Sequence, residues 1–138
     1  KHFANKVWNA ARFVVENTTD LSKTKAPELA EKDQRLLEEL DGYVADITAD
    51  IVNFRFYLAA EKIYHYFWHT FADIIIEESK PRLRGNDERD KQSAKWLVYQ
   101  ILRRNIIILH PFMPFVTEEI WSILEPGRLL MIERWPQH

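Results

Sequence analysis

No cysteine occurs in the chain, so neither a disulfide framework, nor a thiolate zinc site, nor a cysteine nucleophile can be built from it. Glycine is nearly as scarce, with three residues. Three glycines hardly supply a phosphate loop, a dinucleotide-binding turn or a nucleophile elbow, and none of those motifs occurs. Together with only six prolines, this scarcity argues against a turn-rich β architecture. Long apolar runs are missing as well: the stretch 106–109 is far short of the roughly 20 residues that cross a bilayer. The N-terminus shows no signal-peptide pattern. These absences lead us to expect a soluble, cytoplasmic, helical protein without catalytic residues of its own.

What is present suits a packed core. Of 138 residues, 46% are hydrophobic and 13% aromatic, enough for one domain spanning 1–138 to fold without staples. Net charge is only −2, which by itself speaks against a polyanionic partner. The distribution is uneven, however. Residues 28–50 hold eight acids against Lys32 and Arg35, whereas 80–104 hold eight bases against Asp87, Glu88 and Asp90. The first twenty-five residues add five bases against Glu16 and Asp20. Separated fields of this kind allow a polyanion to bind on one side only.

Apolar periodicity predicts an all-α, antiparallel helix bundle of four main helices and a short fifth. The first, about 1–17, places Phe3, Val7, Ala10, Ala11 and Val14 on one face. No capping residue precedes Phe3, which leads us to expect a piece excised from a longer chain. A polar stretch from Asn17 to Pro27 reads as a loop. Leu36, Leu40, Val44, Ile47, Ile51 and Phe54 form the seam of a second helix, about 33–54, in which Gly42 is a weak point costing ~1 kcal/mol against Ala. The third, about 55–79, turns Leu58, Ala59, Ile63, Phe67, Phe71, Ile74 and Ile75 inward and ends where Pro81 disfavours helical geometry at Lys80. The fourth starts after Asn86 or Asp87, either of which can cap it, and runs to about Leu109. After a break at His110-Pro, Pro114 opens the short helix, whose Glu118 and Glu119 suit its N-terminal dipole. Residues 129–135 read as extended.

Several side-chain groupings invite a chemical reading. Glu61, His65, His69, Asp73 and Glu77 recur every four residues, and two His at that spacing can hold zinc. Steps of four drift by about 40° each, so the ends of the stripe diverge and the set reads as a solvated face. The acid pairs Glu38-Glu39, Glu77-Glu78 and Glu118-Glu119 point about 100° apart in a helix and read as surface charge, not acid–base partners. On the first helix, Asn5, Asn9 and Arg12 line the side away from Val7 and Val14, flanked by Lys6 and Phe13. By themselves these residues read first as an ordinary polar face, with the amides bonding a neighbour and Phe13 in the core. The same set, however, is what takes unpaired RNA bases: amides for base edges, cations for phosphates, a ring for stacking. Arg82 and Arg84 form a basic turn that either meets phosphate or is simply solvated. The five tryptophans sit at core-compatible positions and read as packing.

Asn5-Lys-Val-Trp-Asn-Ala-Ala-Arg-Phe13 resembles the opening helix of the anticodon-binding domain of valyl-tRNA synthetases, N-K-x-W-N-A-x-R-F. Residues 60–83 resemble the family's F-W-x-x-F-x-D-W-Y-x-E-x-x-K-P-R-L helix and turn, and His110-Pro-Phe-Met-Pro-Phe-Val-Thr-Glu-Glu-Ile-Trp121 is similar to its H-P-F-M-P-F-x-T-E-E-x-W element. The three follow in the family's order and spacing. Relatives that charge leucine, isoleucine and methionine share a looser P-x-x-P-x-x-x-E-x-x-W, but Trp8-Asn-Ala-Ala-Arg-Phe13 favours valine. The sequence departs from the family at Ile74-Ile75, where Trp-Tyr is usual.

The resemblance implies a bundle that grips the anticodon stem-loop of tRNA(Val), with Asn5, Lys6, Asn9, Arg12, Phe13, Arg82 and Arg84 as its candidate contacts. It equally allows the Asn5, Asn9, Arg12 face to meet a catalytic domain of the same chain. It implies a parent valine–tRNA ligase that uses ATP and Mg²⁺ and edits mischarged threonine in an inserted domain. The HIGH and KMSKS signatures of that chemistry are absent here, so no cofactor or metal is expected in this segment, and no DNA or membrane partner. A helical protein-interaction module and a metalloprotein using His65 and His69 are the competing readings.

Overall fold

The computed structural model describes residues 2–130 and 133–136. They form five helices with no strand among the described residues: α1, His2–Asn17; α2, Glu31–Val52; α3, a continuous helix over 56–83; α4, Glu88–Leu109; and α5, Pro114–Leu124. Each expected helix is present. α3 differs most from expectation, because only its ends, Phe56–His65 and Glu77–Leu83, are α-helical. Tyr66–Ile76 between them winds as a wider π-helix, the i→i+5 form that seldom exceeds one turn.

Pro81 does not end α3; the helix runs on to Leu83. Proline takes one backbone donor from its turn, and the Ser79 hydroxyl donates to the Ile76 carbonyl at 2.6 Å in that same stretch. The stop comes at Arg84-Gly85, and α4 begins at once. Its cap is Asp87, whose carboxylate accepts from the Arg89 and Asp90 amides at 3.1 and 3.3 Å, two of the donors a helix start leaves unmet.

Consecutive main helices alternate in direction. α1 packs against α3, α4 and α5, and α2 against α3 and α4, so the connection over 18–30 crosses the end of the bundle. It is fixed there by Lys95 donating to Asp20 at 2.7 Å and by the Ala30 amide donating to Ser93 at 2.8 Å. As a result, α1 and α3 lie side by side in the same direction, with Phe3 against Tyr64 and Phe67, and Lys6 against Asp73. α2 and α4 are likewise parallel, joined in register by Asp33–Ser93, Asp41–Arg104 and Tyr43–Asn105.

The core is the meeting of the predicted seams. Val7 and Val14 of α1, Leu40, Val44 and Ile47 of α2, Ile63, Phe67 and Phe71 of α3, and Ile101, Leu102 and Ile106 of α4 are all fully buried. α5 lays Ile120, Trp121 and Leu124 over α1 and α4. Glu118 and Glu119 lie beyond its first turn, so the expected dipole contact is not made. Glu118 instead accepts from the Leu130 amide at 3.3 Å.

Three inward expectations fail: Phe54 is 80% exposed, Ile74 51% and Leu58 42%. Phe54 stands in the turn between α2 and α3 with φ +61°, a left-handed conformation that costs a non-glycine residue about 1–2 kcal/mol. Buried Asp50 braces that turn: Arg55 Nε donates to it at 3.0 Å, and Lys62 Nζ lies 2.7 Å away. These cations, Lys62 first, hold the Asp50 carboxyl below its ordinary range. Of the tail expected to be extended, 131 and 132 lie outside the described residues. The Glu133 amide donates to the Leu130 carbonyl at 2.9 Å.

Candidate nucleic-acid interface

The outward face of α1 follows from its core contacts. Val7, Ala10, Ala11 and Val14 are buried, and with about 100° between residues the opposite side must carry Asn5, Asn9 and Arg12. All three are exposed, as is Glu16 on the same stripe. Arg12 and Glu16 are loosely paired at 3.8 Å, both side chains 67% exposed, so the pairing is worth little and leaves the guanidinium in water. Neither amide side chain makes a hydrogen bond to another described residue. The possibility that Asn5 and Asn9 bond a neighbouring helix is therefore not realised within the bundle.

Lys6 and Phe13 lie on the flank of the stripe that faces α3. Lys6 Nζ donates to Asp73 Oδ1 at 3.1 Å and sits 5.2 Å from the Trp68 ring centroid. Phe13 is half-buried against the core, with Lys80 Nζ 5.7 Å from its ring centroid. Lys6, Asn9, Phe13 and Lys80, with Ala10, Ala72, Ile76 and Glu77 beneath, line a cleft of about 170 Å³ between α1 and α3. The wide π-helical stretch supplies Ala72 and Ile76 to its floor. On the other flank, Trp8, Arg12 and Glu16 border an apolar groove of about 210 Å³ over Ala11, Val15, Ile120 and Ile123. One helix face thus presents two amides and a guanidinium between two shallow recesses. Lys80 is a cation that the motif reading passed over; its position one turn after Glu77 and before Pro81 gave no sign of facing Phe13.

Arg82 belongs elsewhere. It is part of α3 itself, not of a loop, and its side chain is 12% exposed. Nη1 and Nη2 donate to the two oxygens of Asp33 at 3.0 and 2.5 Å, and Nε donates to Asp90 at 2.9 Å. Asp33 is wholly buried and also accepts from the Ser93 hydroxyl at 2.5 Å. Asp33 first, then Asp90, pushes the Arg82 guanidinium further above its already high range. The expected phosphate contact is corrected accordingly: Arg82 spends its planar fork on the carboxylates of Asp33 and Asp90. Arg84, one turn-step on, is exposed and makes no ion pair among the described residues.

The expected charge separation is also largely spent internally. Arg82 meets Asp33, Arg104 meets Asp41 at 2.5 Å, and Arg89 lies 3.6 Å from Glu28. The acidic stretch 28–50 and the basic stretch 80–104 face each other across the bundle. In the histidine stripe, the His65 and His69 rings are 5.2 Å apart and Asp73 is taken by Lys6. No group of three or more metal-ligating side chains is assembled among the described residues. No helix of the described residues is long and apolar enough to cross a membrane.

Comparison with known proteins agrees with the architecture. The sequence pattern of the anticodon-binding domain of tRNA ligase matches residues 33–138. The valine–tRNA ligase of Thermotoga maritima is 39% identical over 138 residues, which is 99% of this chain and 16% of that protein. Those of Petrotoga mobilis and Latilactobacillus sakei are 36% and 38% identical, over 100% and 99% of this chain. The chain therefore spans about one sixth of the length of these relatives, and the alignments extend over α1, which the family pattern leaves out. On these matches, the chain belongs to the family of anticodon-binding domains of tRNA ligases.

Proposed function

We propose that residues 1–138 are one domain of a valine–tRNA ligase, binding the anticodon stem-loop of tRNA(Val) along the outer face of α1. The observation that carries this reading is the exposed Asn5–Asn9–Arg12 stripe, its two amides unbonded within the bundle, in a segment alignable along its length with proteins named valine–tRNA ligase. Unpaired bases offer donors and acceptors on their edges, which amides match in either sense; their phosphates suit Arg12 and Arg84. The α1/α3 cleft, with Lys6, Phe13 and Lys80, offers a ring edge and ammonium groups beside the stripe. Arg82 contributes from within by holding the α3 end on which Arg84 is mounted.

In this reading the segment makes and breaks no bond. Valine activation with ATP and Mg²⁺ and transfer to tRNA are the work of the catalytic domain of the same polypeptide, in the cytoplasm. The bundle's part is to place a tRNA of the right anticodon so that its acceptor end reaches that domain.

A gel-shift titration of the 138-residue chain with a tRNA(Val) transcript and an anticodon-swapped transcript tests it. The swap is expected to weaken binding, and log affinity is expected to fall with log salt by about 0.7–0.9 per phosphate contacted. Equal affinity for both transcripts, at low salt as well as high, would sink the assignment.

A further inference from the structure

One end of the bundle is unlike the rest of its surface. Val52, Phe54, Phe56, Tyr57 and Leu58, in and around the α2–α3 turn, are between 42% and 80% exposed. Phe115, at the start of α5, is 91% exposed. The parallel register of α2 and α4 puts both at the same end, because Asp41 pairs with Arg104 and Tyr43 with Asn105, so the end of α2 lies level with the chain just beyond α4.

This turn is held by the ion pairs of buried Asp50 and not by burial of its own rings. Phe54 adopts φ +61° and its ring lies edge-on to Phe56 at 6.1 Å while remaining 80% exposed. Asp50, with Arg55 and Lys62, fixes the backbone that presents it. A residue held in an unfavoured backbone conformation, with its side chain in water, points to a contact made outside the bundle.

The occupant is set by chemistry and position. Arg55 is the one cation in the turn and is tied to Asp50 through Nε, whereas Val52, Phe54, Phe56, Tyr57 and Leu58 around it are exposed, so the tip presents mainly apolar surface. Residue 2, where any preceding polypeptide joins, lies at this same end: Phe3 packs on Tyr64 and Phe67, about 12 Å along α3 from Phe56. Chain joining there passes beside the exposed rings. The relatives are about six times the length of this segment. We infer that the Phe54 tip and Phe115 dock the bundle onto an apolar surface of the remainder of its own polypeptide, at the end opposite Arg84. The inference rests on the reading of this chain as part of a longer ligase.

Phe54→Gly gives a clean test, since glycine favours the observed φ and removes only the ring. Amide hydrogen exchange over 52–58 is compared between the 138-residue chain and the complete polypeptide encoded by its reading frame. Exchange is expected to be about tenfold slower in the complete polypeptide, and Phe54→Gly to abolish that difference while leaving the melting temperature of the 138-residue chain equal or higher. Equal exchange in both forms, or a reading frame that ends with these residues, overturns the proposal. So does a concentration-dependent dimer of the 138-residue chain that Phe54→Gly dissolves, which would make the tip a self-association surface. A severalfold loss of tRNA affinity in that variant would make it an RNA surface instead. None of the exchange measurements involves RNA, so a failure of anticodon recognition and a failure of this docking register separately.

Discussion

Arg12 and Arg82 look alike in the sequence: each stands in a stretch resembling a tRNA ligase motif, and each reads as a cation for RNA. In the fold they have opposite fates. Arg82, 12% exposed, has its guanidinium bonded to Asp33 and Asp90. Arg12, 67% exposed, faces one distant and equally exposed carboxylate. Removing a guanidinium from water requires partners that satisfy it, and those partners occupy the bidentate edge that a phosphate would need. The same contrast holds on a larger scale, since Arg82, Arg89 and Arg104 of the basic stretch 80–104 meet Asp33, Glu28 and Asp41 of the acidic stretch 28–50 across the bundle. Positive charge counted along a chain therefore says little about an RNA surface until the carboxylates it meets in space are subtracted.

The sharpest way to break the comparison is Arg82→Ala. It leaves Asp33, wholly buried, with the Ser93 hydroxyl as its remaining side-chain donor. The expected loss is about 3–5 kcal/mol of stability, because an unpaired buried charge remains. Arg82→Lys should recover little of it, since an ammonium cannot span both oxygens of Asp33. Urea unfolding reads both effects, and a loss below about 1 kcal/mol for the alanine variant would return Arg82 to the surface class.

Arg12→Ala probes the other side of the contrast. Its stability should stay within about 0.5 kcal/mol of wild type, as for other exposed positions without special contacts. Affinity for tRNA(Val) should fall by roughly tenfold, the scale of one nucleic-acid contact of about 1–3 kcal/mol. Melting and gel-shift titration on the same preparation separate the two quantities. A stability loss with unchanged affinity would give Arg12 the role the structure assigns to Arg82.

Local features of the fold were legible in the sequence, and non-local ones were not. Leu40, Val44 and Ile47 recur at helical steps, so their burial follows from period alone. Asp87 caps α4 because an acid before a helix start meets free amides whatever lies elsewhere. The Arg82–Asp33 pair joins residues 49 apart, and no period connects them. The π-helical stretch was hidden because Tyr66–Ile76 is apolar on most sides, so its pattern is compatible with either winding. Phe54 misled for a third reason: a phenylalanine in register with a seam reads as core, and only the positive φ at the turn swings it outward. In the candidate interface, the stripe on α1 could be read from helical spacing. The withdrawal of Arg82 and the approach of Lys80 to Phe13 required the packing of α3 against its neighbours.

The smallest expected effect isolates stability from binding altogether. Gly42 sits inside α2 between Asp41 and Tyr43, which both bond to α4, and a Cβ added there meets no atom within 4 Å. Its φ is not in the left-handed region, so alanine fits without strain and reduces the backbone freedom lost on folding. Gly42→Ala should therefore stabilise the chain by about 0.5–1 kcal/mol, read as a raised urea midpoint with an unchanged slope. Because α2 lies across the bundle from the α1 face, tRNA affinity should not move. If affinity rises along with stability, the α1 surface is being ordered by the bundle as a whole, and the loss expected for Arg12→Ala would have to be corrected for folding before it could count as a lost contact.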